Sequence, residues 1–367
     1  MRNCYPRHLR VGLVGAVAAV GLALLPGRAA AQDTRILGFA DVTTTVNPST
    51  GKTSFALGEW DLFITSDLTD RISFLGETVF KYDPTSGSRF AAGVERIILK
   101  YNVRGNHNLL LGKMHTPVNY WNDTYHHGRV FFPTIFRPAV FNEGFVPLHT
   151  LGAGVQGQNR GKLRLGYDVV VGNGLSGPDA GDNDAMKSVT LAAHVKPVDG
   201  LRLGGSAYFD RIAPGTAGHS HGSNAPVPLT VPVHQQMYTA SVAYFGPKLE
   251  TLIENSFFRN KSDSSTQRTN ALYAYAGWRV HPDVVVYGRY DLIRHPGLPA
   301  PHAGEAPHHV APTYFGTDDL QSLVGGVRYE FSYQAVVKLE FQHDDRDLRQ
   351  GGRRSPNAVT FQFAVGF

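Results

Sequence analysis

The last eleven residues, Asn357 to Phe367, constrain the fold more than any other stretch. Apolar side chains take every second position: Val359, Phe361, Phe363, Val365 and Phe367. Thr360, Gln362, Ala364 and Gly366 lie between them, all small or polar. A period of two is a strand with one apolar face and one wettable face. Two architectures use such a strand. A soluble β-sandwich turns the apolar row into a dry core. A barrel in a bilayer turns it outward, because closing the last strand on the first leaves no unpaired edge in lipid. A strand that finishes on a bare Phe suits the barrel.

The other end of the chain is expected to be removed. Arg2, Arg7 and Arg10 precede the 15-residue run Val11–Leu25 of Val, Gly, Ala and Leu. Pro26 and Gly27 break the run, and Ala29, Ala30 and Ala31 supply the small residues of a cleavage site. This is the pattern of an export signal, too short and glycine-rich to span a bilayer. The expectation is a cleaved segment 1–31 and one domain over 32–367. Of the 35 Lys+Arg, Arg2, Arg7, Arg10 and Arg28 fall in that segment, which holds no acid, so 31 basic residues then face the 30 acidic ones. The balance gives no reason to expect a nucleic-acid partner. Cys4, the single cysteine, precedes the apolar run, so neither a lipid-anchored lipoprotein nor a disulfide framework is expected.

No stretch after residue 31 approaches 18 uncharged apolar residues, so no transmembrane helix is expected. Several segments of about ten residues instead alternate as the terminal one does. Ile72, Phe74, Gly76, Thr78 and Phe80 alternate with Ser73, Leu75, Glu77, Val79 and Lys81. Leu163, Leu165, Tyr167, Val169 and Val171 alternate with Arg164, Gly166, Asp168 and Val170. Leu201, Leu203 and Phe209 share a face, with Arg202 and Asp210 on the other; Val337, Leu339 and Phe341 face away from Lys338 and Glu340. Phe90–Tyr101 is the one segment whose two faces both mix apolar residues with the charges Glu95, Arg96 and Lys100.

The connections alternate in length. Short ones such as Ser66–Asp70, Val103–His107, Pro197–Gly200 and His281–Asp283 carry Gly, Pro, Asn and Asp, as tight turns require. Long ones fall between: Thr43–Thr53, Asp83–Arg89, Thr116–His149, Gly172–Lys187, Ile212–His234, Asn260–Arg268, His295–Asp318 and Asp345–Pro356. Seven short turns and eight longer loops predict 16 antiparallel strands, with all long loops at one end. Aromatics near the predicted strand ends (Trp60, Tyr82, Tyr101, Tyr244, Phe245, Phe257, Phe258, Trp278, Tyr329, Phe331) fit girdles at two membrane interfaces.

With these features in view, the chain resembles a Gram-negative outer-membrane porin over residues 32–367. Val359–Phe367 is similar to the signal by which outer-membrane barrels are recognised by their insertion machinery, through the terminal Phe367. Leu111-Gly-Lys-Met-His-Thr-Pro-Val118, a strand leaving into a long loop, is similar to the entry to the third loop of porins. The resemblance is looser to phosphate-selective porins, whose Lys/Arg-lined lumen this near-neutral chain does not clearly supply. The resemblance implies a lipid-embedded all-β barrel, a third loop folded into the lumen, a homotrimer, no cofactor, and passive passage of small hydrophilic solutes or ions.

Thr116–His149 is the third long loop, 34 residues in length. Loops of that length in a compact protein are usually functional. It mixes Tyr120, Trp121, Phe131, Phe132, Phe136, Phe141 and Phe145 with His126, His127, Arg129, Arg137, Glu143 and His149, and Pro117, Pro133, Pro138 and Pro147 stiffen it. The expected constriction is Arg129, Arg137, His126, His127 and Glu143. Arg129 and Arg137 can face wall carboxylates Glu59, Glu77 and Glu95, giving a transverse field. Arg164, Arg202, Arg289 and Lys338 fall on predicted inward positions. The bland alternative is a loop packed on the rim, with charges that only keep the lumen wet. The 16 histidines, many in loops, raise metal binding, since imidazole is a good borderline ligand. Their spacing matches no closed tetrahedral site, so no metal ligand is assigned. No Gly-x-Ser-x-Gly, phosphate-loop or His-Glu-x-x-His motif is present. A rim hydrolase with a Ser–His pair meeting in space and a soluble periplasmic binding protein stay open as alternatives.

Overall fold

The computed structural model describes residues 33–82, 89–144, 146–176, 181–182, 184–216, 229–263, 265–296, 318–348 and 352–367. The expected export signal and the loop histidines His219, His221, His302, His308 and His309 lie outside the described residues.

The strands are β1 (Thr34–Val46), β2 (Thr53–Asp67), β3 (Ile72–Tyr82), β4 (Phe90–Arg104), β5 (His107–His115), β6 (His149–Arg160), β7 (Leu165–Gly172) and β8 (Ser188–Val195). They continue as β9 (Leu201–Ile212), β10 (Val233–Phe245), β11 (Leu249–Lys261), β12 (Thr266–His281), β13 (Val284–Arg294), β14 (Asp319–Ser332), β15 (Ala335–Asp347), β16 (Arg353–Arg354) and β17 (Asn357–Gly366). β16 is a two-residue pairing within the last loop, which leaves the sixteen long strands the alternation predicts. Each pairs antiparallel with its neighbour in sequence, and β1 pairs with β17 from Phe39↔Gly366 to Val46↔Val359. Phe367 continues that ladder by exchanging both backbone hydrogen bonds with Gly38, at 2.7 and 2.8 Å. The sheet is therefore closed, without an edge.

Side-chain direction follows the inverted pattern. In β17, Phe361 and Phe363 are exposed, whereas Thr360, Gln362 and Ala364 are buried. Leu323, Val327, Leu339 and Phe341 likewise face out, and Arg328, Lys338 and Glu340 face in. In water this outer surface would be an apolar patch far larger than a soluble protein carries. Against lipid it is the surface required. Trp60, Tyr82, Tyr101, Trp278, Tyr329 and Phe331 are exposed among the expected girdle residues, but Phe258 is buried. Phe258 shares an inward parity with Glu250 and Glu254, and it belongs to the apolar cluster inside the barrel.

The mixed faces of β4 have a local cause. Glu77 pairs with Arg96 and Thr78 with Val94, so Glu95 is the extra residue of a β-bulge. Before it, Phe90 and Val94 face out; after it, Ile97, Leu99 and Tyr101 do. One inserted residue reverses the parity and turns both Glu95 and Arg96 inward.

Two connections are tighter than the sequence suggests. β1 runs on to Val46 and β2 starts at Thr53, with Asn47 N–H donating to Lys52 O across the turn. β11 and β12 close over 262–265 through Ser262 and Ser265. Polar Thr- and Asn-rich strand ends keep pairing beyond the apolar band, where alternation of hydrophobicity no longer marks them.

The two faces make a spectroscopic prediction. Of the three tryptophans, Trp60 and Trp278 are about half exposed and Trp121 is 1% exposed. In single-tryptophan variants folded into vesicles, brominated lipid is expected to quench Trp60 and Trp278 and to leave Trp121 bright. Equal quenching of all three would contradict the inside–outside assignment.

Candidate functional site: the third loop and the inner wall

The chain leaves the wall at His115 and rejoins it at His149. Thr116 N–H donates to Leu148 O at 3.0 Å, which pinches the base of the loop. The Asn122 amide reinforces the pinch by donating to Thr116 O (2.8 Å) and Leu148 O (3.0 Å). A single helical turn, α1 (Tyr120–Thr124), follows Asn119, whose φ of 63° reverses the chain. Two short 3₁₀ turns, Arg129–Phe131 and Ala139–Asn142, complete the local structure.

Every anchor of this loop is an inward-facing wall residue. Asn119 donates to Ser256 Oγ at 2.8 Å, and the Tyr120 amide donates to Glu254. Ile135 N–H donates to Glu340 Oε1 at 2.6 Å, and Tyr287 donates to the same oxygen at 2.9 Å. Arg289 reaches Thr134 Oγ1 (2.7 Å) and Phe136 O (2.6 Å) while pairing with Asp291 at 3.1 Å. Lys338, fully buried, donates to Arg129 O (2.7 Å), Thr134 O (3.2 Å) and Gln362 Oε1 (3.3 Å). Such charge-assisted bonds hold irregular backbone where it has few backbone partners of its own. Trp121, Phe132 and Phe141 bury their rings against inward Tyr273, Tyr275 and Phe258; the Trp121 and Phe132 rings meet edge to face at 5.3 Å. These contacts set the loop against the inner surface of the sheet.

The predicted site residues meet different partners. Arg129 bridges Asp41 and Glu59 at 3.2 Å each. Glu77 pairs instead with Arg96 at 2.5 Å, and Glu95 with His149 at 2.8 Å and with His127 at 3.5 Å. Among the described residues Arg137 meets no wall carboxylate within ion-pair distance; it donates to His126 O at 3.0 Å and lines a cavity. Glu143 pairs with Arg346 at 2.8 Å. Arg202 faces the lumen, where it pairs with Asp123 at 2.8 Å and lies 4.9 Å over the Tyr120 ring. Arg164 is a correction. β7 begins at Leu165, and Arg164 sits in the preceding turn at φ 48°, paired with exposed Asp199 at 2.7 Å. The alternation from Leu163 extends two residues past the true strand edge.

Sequence reasoning missed Asp41, Arg328 and Asp291. Arg328 binds both oxygens of Glu250, at 2.7 and 3.0 Å, and the carbonyl of Pro133. Its inward place opposite Lys338 was readable from the alternation of Val327, Arg328 and Tyr329. Nothing in the sequence marks Asp41 or Asp291 as partners of this loop. His126 and His127 differ sharply. Burial, with neighbouring His115 and His149, holds the His126 imidazole well below its usual range. Burial opposes charge on His127 as well, but its bonds to Glu59 and Glu95 raise it to about 9.

Two cavities adjoin the loop segment Arg129–Arg137. One, of about 330 Å³, is lined by Arg129, Arg137, Glu143, Arg289, Asp291, Asp344 and Arg346, near the long-loop end. The other, of about 420 Å³, is lined by Val130, Phe131, Arg328, Glu330 and short-turn residues Asp283 and Tyr333.

No protein-family model and no curated protein sequence matches the chain. Solved structures do. The anion-selective porin of Comamonas acidovorans superposes with a TM-score of 0.64 at 11% identity, covering 92% of this chain and 100% of that one. The outer-membrane channel DcaP of Acinetobacter baumannii gives 0.58 at 11% identity, over 92% and 97%. A trimer form of OmpT, an outer-membrane protein of Vibrio cholerae, gives 0.62 at 11% identity, over 92% and 100%. The chain has the fold of the outer-membrane porins. A closed barrel of this kind, apolar outside and charged within, belongs to the bacterial outer membrane.

The loop anchors yield a prediction for this porin-fold barrel. Lys338→Met leaves two loop carbonyls and Gln362 without their charged donor. Loss of a buried charge-assisted bond is expected to cost about 1.5–3 kcal/mol. The check is the shift of the urea midpoint for vesicle-folded protein, together with a noisier single-channel trace as Arg129–Thr134 loosens. An unchanged midpoint and a quiet trace would show that Lys338 does not tether the loop.

Proposed function

We propose that the protein is a passive diffusion channel of the outer membrane, carrying small hydrophilic solutes or ions down their gradients through a lumen narrowed by its third loop. The observation that carries this reading is the pair of charged cavities on either side of Arg129–Arg137. Asp41, Glu59, Glu77 and Glu95 come from the arc β1–β4, and Arg289, Arg328 and Lys338 from the arc β13–β15. Only β17 separates the two arcs, and fixed charges of unlike sign side by side in a narrow wet passage orient water and disfavour apolar solutes. Basic and acidic groups in the first cavity nearly balance, so the field runs across the passage and is not a single-sign funnel. The reading calls for no cofactor and no chemical step. It includes assembly as a homotrimer, as in the trimer form of OmpT, contact with outer-membrane lipid, and delivery by insertion machinery that recognises the terminal strand through Phe367.

Reconstitution in a planar bilayer tests the reading. Stepwise openings are expected. Arg129→Ala with Arg137→Ala leaves Asp41 and Glu59 without their guanidinium partner, and should lower the anion-to-cation permeability ratio on the order of two- to tenfold, less at high salt. A folded barrel that never conducts would refute the channel, and unchanged selectivity in the double variant would remove the loop from the constriction.

A further inference from the structure

On the arc formed by β2 to β6, the loop brings together side chains that salt bridges alone do not explain. Glu95, His126, His127 and His149 each offer one donor atom, and these four atoms lie within 4.8 Å of one another. The His126 ring centroid is 4.6 Å from that of His127 and 4.4 Å from that of His149. The His115 ring lies 4.0 Å from that of His126, tilted by 34°. All four histidines are at least nine-tenths removed from solvent at the side chain or buried outright.

The surrounding hydrogen bonds orient the rings. The Asn122 amide nitrogen donates to Thr116 O and Leu148 O, so its Oδ1 is the acceptor for His126 Nδ1 at 2.8 Å. That network assigns the His126 proton to Nδ1 and the lone pair to Nε2. His127 is gripped the same way: Nδ1 lies 3.2 Å from Oε2 of Glu59, whose other oxygen holds Arg129, while Nε2 lies 3.5 Å from Glu95 Oε2. His149 Nε2 is 2.8 Å from the same Glu95 oxygen. A ring nitrogen turned toward a shared centre, with the other nitrogen fixed by an amide or carboxylate, is the arrangement that orients metal-bound histidine.

We propose that Glu95, His126, His127 and His149 form a binding site for one divalent transition-metal ion of borderline character, of which zinc(II) is the test case. Tetrahedral bonds of about 2.0–2.1 Å put ligand atoms about 3.3–3.5 Å apart. The His127–Glu95 and His149–Glu95 distances of 3.5 and 2.8 Å already lie near that value, and the remaining donors within 4.8 Å need only small rotations. An ion there bonds His127 and Glu95 directly, and any proton on the ligating His127 nitrogen passes to solvent. Three imidazoles and one carboxylate favour zinc(II), nickel(II) or copper(II) over magnesium or calcium, which take oxygen ligands. The ligands come from the β4 bulge, from the middle of the loop and from its base, so the ion cross-links all three. Binding at this site does not depend on the channel reading.

The test uses the full-length barrel, folded in detergent without a histidine tag, stripped with chelator and loaded with zinc chloride. One zinc per chain is expected to survive desalting, and magnesium chloride should not displace it. His126→Gln with His149→Gln should weaken zinc by at least about tenfold in calorimetric titration, and Asn122→Ala by roughly 10–100-fold. His219→Ala with His221→Ala should leave the affinity unchanged. Folding of each variant is read from heat-modifiable migration. Zinc X-ray absorption of the unaltered protein should give nitrogen and oxygen neighbours only, with several imidazoles, whatever the variants do. No retained zinc, zinc retained equally by the His126/His149 variant, or a hexa-aqua-like spectrum would each overturn the site.

Discussion

The pairing of β1 with β17 is the constraint on which the rest depends. In hydrocarbon an unpaired strand edge is too costly to exist, and only closure satisfies every backbone group while leaving the outer row free to be apolar. Once Val46 meets Val359 and Gly38 meets Phe367, parity decides everything else. Each Phe, Leu or Val of the outer row forces its neighbours inward. The charged residues of β13–β15 are inside because Tyr290, Val327 and Leu339 are not.

Closure creates a second problem that the third loop answers. A ring of sixteen strands encloses more space than wall side chains fill. The enclosed groups are strongly charged, and buried charge is stable only with partners. The loop supplies them. Its backbone carbonyls accept from Lys338, Arg289 and Arg328, its amides donate to Glu340 and Glu254, and its Arg129 meets Asp41 and Glu59. Its aromatic residues collect on β10–β14, where the wall offers Tyr273, Tyr275 and Phe258, and its histidines collect on β2–β6, where the wall offers Glu59 and Glu95. The loop is thus apolar where it meets the far wall and histidine-rich where it leaves the near one, and two cavities among the described residues adjoin Arg129–Arg137.

Much of the barrel was legible in the chain because a bilayer imposes a strict rule on each strand. Alternation placed Arg202, Arg289 and Lys338 inward, and turn chemistry separated short from long connections. It failed where the rule lapses. The bulge at Glu95 reversed parity within β4, which is why both its faces looked mixed. Arg164 was drawn into a strand because Leu163 happens to share the phase of β7. Beyond the apolar band, β1 and β11 extend through Thr and Asn residues that carry no alternation signal.

By itself, then, the sequence determined the strands, their faces and the existence of a long third loop. Those features depend on spacing along one segment at a time. Only the tertiary structure decided that Asp41, Asp291 and Arg328 serve that loop, that Arg137 stands apart from the wall carboxylates, and that His126, His127 and His149 converge on Glu95. A loop has no period, and its partners come from strands scattered around the ring. Which groups meet there follows from closure, shear and one bulge acting together, and none of these is written in the local pattern of residues.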